Sequence, residues 1–237
     1  MLVASLLLGI IVFCGLPVAG LIVLARRKKG AGMAFLFGVL AFTVSQFVIR
    51  IPILTYVLPN YAWFGVLQLN PWAYGLFAGF TAGLFEEVAR WIAIRFFLKG
   101  RTDMEHGLAF GLGHGGVENI AMFGVNYVFM LVMVAAGQGA LYYGMEASSL
   151  VLTWERLYAL AFHVGASLLV MYGIRKGKAL RYLIAAIALH TILDAAVVIL
   201  PRVYGVGALG IELYGTVISI LTLVSGILVY RKRNAGI

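Results

Sequence analysis

Apolar residues in this chain run in long unbroken stretches, with polar residues confined to short breaks between them. Seven such segments lie at about 2–25, 33–58, 72–98, 107–136, 156–174, 179–200 and 208–230. Each is long enough to cross a hydrocarbon core of about 30 Å as a helix, which takes roughly 20 residues. The pattern predicts an all-α, polytopic transmembrane bundle of about seven spans. No long polar linker interrupts it, so residues 1–237 are expected to form a single integral membrane domain. The first segment lacks a basic start and runs directly into Arg26, Arg27, Lys28 and Lys29, so it reads as a span rather than a signal peptide.

Composition agrees with this pattern. Hydrophobic residues make up 63% of the chain and charged residues only 11%, with a mean hydropathy of +1.01. A soluble domain of this length would expose far more charge. The net charge of +9 would suggest nucleic acid in a soluble protein. Here it has another source, and no nucleic-acid partner is expected. The clusters Arg26 to Lys29, Lys99 with Arg101, Arg175 to Arg181, and Arg231 to Arg233 hold thirteen of the 18 Lys and Arg, and all fall on one side of the predicted spans. The positive-inside rule then places the N-terminus outside and the C-terminus in the cytoplasm, which requires an odd number of spans. The expected surroundings are a lipid bilayer, with the chain an integral membrane protein. In the loop at 137–155, Tyr142, Tyr143 and Trp154 suit the headgroup zone and suggest a short interfacial helix. The single cysteine, Cys14, has no intrachain partner.

Against this apolar background a few ionisable residues stand out: Arg50, then Glu86, Glu87 and Arg90, then His114 and Glu118, then His163, then His190 and Asp194. A charge near mid-bilayer costs about 2.5–3.5 kcal/mol even on the lenient insertion scale. Residues of this kind on consecutive helices should therefore face one another. At ~1.5 Å per residue, Glu86, His114 and His190 fall at a similar depth, with Glu118, His163 and Asp194 in a neighbouring layer. Arg90 lies within one turn of both glutamates, and His114 with Glu118 and His190 with Asp194 are i, i+4 pairs. A glutamate facing a histidine can hold a water and act as its general base. Glu86, His114, His163 and His190 also offer a possible zinc site. These residue types alone do not separate a metal-activated water from one activated by Glu and His. Blander readings stand beside these. Glu87 with Arg90 is also a plausible structural ion pair, His190 with Asp194 an interhelical hydrogen bond, and Arg50 a snorkelling or paired side chain.

The fourth segment opens GLAFGLGHGGVEN, with glycines at 107, 111 and 115 spaced for close helix packing. Approach by the third segment along this stripe would bring Glu86 to His114. The chain contains no HExxH, CxxC or GxxxxGK motif.

Taken in order, EExxR (86–90), FxxxH (Phe110 to His114), a histidine in the next span (His163) and HxxxD (His190 to Asp194) resemble the type II CAAX-protease superfamily. Within it the likeness is greatest to YhfC-type intramembrane proteases, relatives of the PrsW-type proteases and of the Aph subunit of gamma-secretase. It covers about 130 residues, from the third to the sixth segment (about 72–200). The resemblance implies an intramembrane endopeptidase of a prokaryotic plasma membrane, acting on a peptide or membrane-protein substrate. Glu86 or Glu87 would be the general base and His114 would help to orient the water. His190 and Asp194 would stabilise the oxyanion, with Arg90, Glu118 and His163 in support. The arginine stands one residue closer than in the usual EExxxR, which leaves either glutamate as the base. The superfamily is described as both glutamate-type and metal-dependent, so both chemistries stay open. Two other functions share these residues: an inactive scaffold of the Aph kind and a proton-coupled transporter.

Overall fold

The computed structural model describes residues 1–231, and Lys232 and Arg233 of the last basic cluster lie outside them. Among the described residues all regular structure is helical. We number the helices α1 (Leu2–Arg27), α2 (Ala31–Asn60), α3 (Ala62–Leu69), α4 (Pro71–Ile92), α5 (Met104–Tyr142), α6 (Glu146–Arg175), α7 (Ala179–Tyr204) and α8 (Ala208–Arg231). Six of these, all except α3 and α4, are long and apolar enough to cross a membrane. Helix α4 is the remaining expected span. It has 22 residues and continues into a π-helical turn at Ala93–Phe97. Its composition differs because it carries Glu86, Glu87 and Arg90. The chain is an integral membrane protein of about seven spans.

Local chemistry explains where the helices begin. Asn70 caps α4 by accepting hydrogen bonds from the backbone of Trp72 and Ala73, and Pro71 supplies the pre-set first φ. Asp103 caps α5 by accepting from His106 N. Lys28 also bonds Asp103, at 2.8 Å, and so ties the α1–α2 turn to the start of α5. Burial pushes the Asp103 carboxyl up, but hydrogen bonds from Lys28 and His106 outweigh it and hold the group below the ordinary carboxylate value. Gly30, with φ of 91°, makes the α1–α2 turn that a side chain would strain.

Helix α6 is the central element. Its most apolar stretch is 78% buried, against 17–39% for the other five apolar spans. It begins at Glu146, so the expected interfacial helix within 137–155 is in part the first turns of α6 itself. The polar residues that suggested a loop are satisfied locally. Thr153 Oγ1 donates to Ser149 O at 2.7 Å, and Tyr127 OH reaches the same carbonyl at 3.1 Å. The aromatic loop after α2 holds the short helix α3.

Backbones meet closely where glycines allow it. A Cβ on Gly38 of α2 would collide with Phe110 O, and one on Gly113 of α5 with Phe35 O. The stripe at Gly107, Gly111 and Gly115 faces Leu168, Val164 and His163 of α6, not α4 as expected. Helix α4 instead lays Gly75, Gly79 and Gly83 against Ile199, Thr191 and Ile187 of α7. The i, i+4 spacing identifies a small-residue face correctly but carries no label for the partner helix.

Candidate active site

The expected ionisable residues converge where α2, α4, α5, α6 and α7 meet. Glu86 sits at the centre with its two oxygens turned to different neighbours. Oε2 lies 3.0 Å from His114 Nε2 and 3.9 Å from His163 Nδ1. Oε1 accepts a hydrogen bond from Gln46 Nε2 at 2.8 Å and lies 3.9 Å from His190 Nε2. The imidazoles gather into one cluster, with ring centres 4.9 Å apart for His114 and His163, which are tilted, and 5.7 Å for His163 and His190, which meet edge-on. His163 thus joins the level of Glu86 and His114, not the next layer. Depth counted from a misplaced start of α6 carries an error of ~1.5 Å per residue.

Glu87 points elsewhere. It accepts from His190 Nδ1 at 3.0 Å and pairs with Arg90 Nη1 at 3.4 Å, and both Glu87 and Arg90 are fully buried. Adjacent helical residues point about 100° apart, so the two glutamates are bound to meet different partners. Arg90 also crosses to α6, donating to His163 O at 3.3 Å and to His163 Nδ1 at 3.1 Å. Asp194 Oδ2 lies 3.5 Å from His190 Nε2, and its side chain is 38% exposed, far more than that of any other residue in the cluster. His190 therefore faces carboxylates at both nitrogens. Glu118 lies 2.8 Å from His163 Nε2.

Sequence reasoning missed two partners. Gln46 is buried and links Glu86 to Arg50, whose Nη1 donates to Gln46 Oε1 at 3.2 Å. Arg50 is further fixed to Thr81 Oγ1 and Ala78 O of α4, at 3.2 and 2.9 Å. It is paired, as one of its two expected readings had it. Both residues lie on the π-helical stretch Thr43–Arg50 of α2, a local widening often found at functional sites. Gln46 interrupts the apolar run as visibly as a charged residue does, but an amide carries no charge and so falls outside a search for ionisable groups. Arg156 was the second omission. It donates to Glu118 Oε1 at 2.7 Å, and the expected start of span five had placed it at the membrane edge.

Glu86, His114 and His163 are all buried and can each offer one ligand atom, all within 4.8 Å of one another. One carboxylate and two imidazoles make the donor set of catalytic zinc sites that keep a position for water. The residues present therefore fit a metal ion. A cavity of about 550 Å³ between α2 and α4 is lined almost wholly by apolar side chains such as Leu40, Val44, Phe85 and Ile92, and by none of the ionisable residues.

The fold and this cluster define a helical membrane protein with a buried carboxylate–histidine centre able to hold a metal. Residues 10–221 match the family of YhfC intramembrane metalloproteases, and the chain belongs to that family. It is also similar to the "Uncharacterized membrane protein YhfC" of Bacillus subtilis (strain 168), with 30% identity over 230 residues covering 88% of each chain. No solved structure matches.

Proposed function

We propose that the protein is an intramembrane metallo-endopeptidase of a prokaryotic plasma membrane, cleaving a peptide bond of a membrane-embedded substrate. The observation that carries this reading is the buried group of Glu86, His114 and His163, in a chain of that family. These three residues would hold the ion, and their N and O donors suit zinc. When bound, such an ion lowers the pKa of its water to about 7 and polarises a carbonyl.

The chain's own residues divide the remaining work. Glu86 would hold the ion through Oε2, which faces His114 and His163, while Gln46 fixes its Oε1; without an ion the same carboxylate would be the general base. Glu87 is held by Arg90 and fixes His190 through Nδ1. His190 Nε2, with Asp194 beside it, is placed to donate to the oxygen that becomes negative during attack. Asp194 marks the accessible side, from which the peptide approaches.

Glu86→Gln is the direct test, read by cleavage of membrane-protein substrates in proteoliposomes and by metal content of the purified protein. The expected result is loss of cleavage by at least 10³-fold, on the order of a removed central catalytic group, together with loss of metal. Unchanged cleavage by the variant, or wild-type protein that carries no metal and cleaves nothing, would leave the scaffold reading in its place.

A further inference from the structure

A line of ionic side chains continues from His163 away from Glu86. His163 Nε2 lies 2.8 Å from Glu118 Oε2, off the line of a well-directed hydrogen bond, and Glu118 Oε1 accepts from Arg156 Nη1 at 2.7 Å. Arg156 Nη2 also reaches Glu155, whose side chain is 34% exposed. Arg156 itself is buried, with its guanidinium 4.6 Å from the centre of the Phe123 ring and its carbonyl bonded by Asn119 Nδ2 at 3.2 Å. Arg156 and His163 are seven residues apart on α6, about two turns, and so share a face. Burying this much charge is costly unless each group is paired.

The other side of His163 determines what this line does. Arg90 Nη2 lies 3.1 Å from His163 Nδ1. A guanidinium only donates, so Nδ1 accepts and carries no proton, and a neutral His163 then bears its ring proton on Nε2, the nitrogen facing Glu118. We propose that Glu118, held in place by Arg156, is the positioning carboxylate of His163. It fixes the Nε2–H tautomer and the ring rotation, so that Nδ1 is the nitrogen turned toward Glu86 Oε2. Carboxylate–histidine–metal arrangements work in this way, and loss of the outer partner typically weakens metal binding about 10–100-fold. The inference rests on the proposed use of His163 as a ligand. It adds that the ligand atom is Nδ1, for which an ion competes with Arg90. Arg156 is a positioning residue at one remove, since its bond to Glu118 Oε1 turns Oε2 toward His163.

The test uses the full chain in nanodiscs with ¹⁵N-labelled histidine, feasible because there are only four histidines. In the wild type, the His163 resonance should report a protonated Nε2 and a bare Nδ1. A protonated Nδ1, or a fast average of the two tautomers, overturns the proposal without any variant. The double substitution Glu118→Met/Arg156→Met removes acceptor and counter-charge together and preserves folding better than either single change. Its His163 signal should shift to mixed tautomers, and its zinc affinity, measured by competition with a chelator, should fall about 10–100-fold. Glu118→Gln/Arg156→Gln keeps an acceptor and should retain the tautomer, with an affinity between the two. If the Met pair folds with an unchanged His163 signal, Glu118 only balances Arg156. Wild-type protein that binds no zinc but shows the expected tautomer would sink the metal reading and leave the positioning role standing.

Discussion

Glu86 turns Oε2 to His114 and His163 while Gln46 holds its Oε1 on the side of His190. Gln46 has both ends of its amide engaged, donating to Glu86 Oε1 and accepting from Arg50, so its orientation is fixed. Replacing Gln46 with Leu keeps the size and removes the bond. A hydrogen bond to a charged group contributes about 1.5–3 kcal/mol, and its loss leaves Oε1 buried without its partner. Cleavage by Gln46→Leu should fall about 10–100-fold, with a matching loss of zinc affinity, as is usual for outer partners of a metal site. Gln46→Glu should do worse, because it sets a second carboxylate against Glu86. Activity within twofold of wild type in Gln46→Leu would show that Glu86 needs no help from α2. At this scale the sequence was readable where a charge interrupts an apolar run. Glu86, Glu87, Arg90, His114, His163 and His190 all announce themselves in that way, and they all lie in the cluster. Gln46 does not, because it is uncharged, and a search for ionisable groups passes over an amide. Nor does the pairing of His190 with Glu87 announce itself, because it depends on how α4 and α7 are rotated against each other.

Helix identity and helix contact differ in how far sequence reveals them. The apolar periods locate every long helix, yet α6 starts ten residues before its expected start at 156, because Ser149 and Thr153 read as loop while bonding within the bundle. That shift hid Arg156, which then counted as an edge residue. Likewise, the glycines of α5 forecast a tight partner but not that the partner is α6. Gly111 tests the consequence. A Cβ there would lie 2.5 Å from Val164 Cα and 3.0 Å from His163 O, contacts with backbone that cannot swing away. Gly111→Val should destabilise by about 1–3 kcal/mol through overpacking. It should also push His114, one turn further along α5, away from His163 and so lower zinc affinity. Gly32 is the matched control, since nothing lies within 4 Å of its would-be Cβ. Gly32→Ala should be neutral or stabilise α2 by about 0.5–1 kcal/mol. Thermal unfolding of both variants in detergent, followed by circular dichroism, separates packing at the site from general intolerance of glycine replacement.

For the whole molecule, the remaining question is which way the bundle lies in the membrane. The basic turns after α1, α4 and α6 and the end of α8 alternate with turns nearly free of Lys and Arg, as the positive-inside rule requires of an odd number of spans. Two of these basic turns are joined in space by the Lys28–Asp103 pair, so they share a face of the protein without reference to any lipid. Counting α4 as a span is what makes the number odd, and α4 is the helix whose apolarity is weakened by the site it carries. If its charges kept α4 from crossing, the termini would lie on the same side and the basic turns would split between two faces. A fluorescent-protein fusion after the last residue should therefore be bright and a periplasmic phosphatase fusion there inactive. A phosphatase fused within the α5–α6 turn, near Gly144, should be active. Activity of the C-terminal phosphatase fusion would reverse the orientation, and with it the side from which a substrate reaches Asp194.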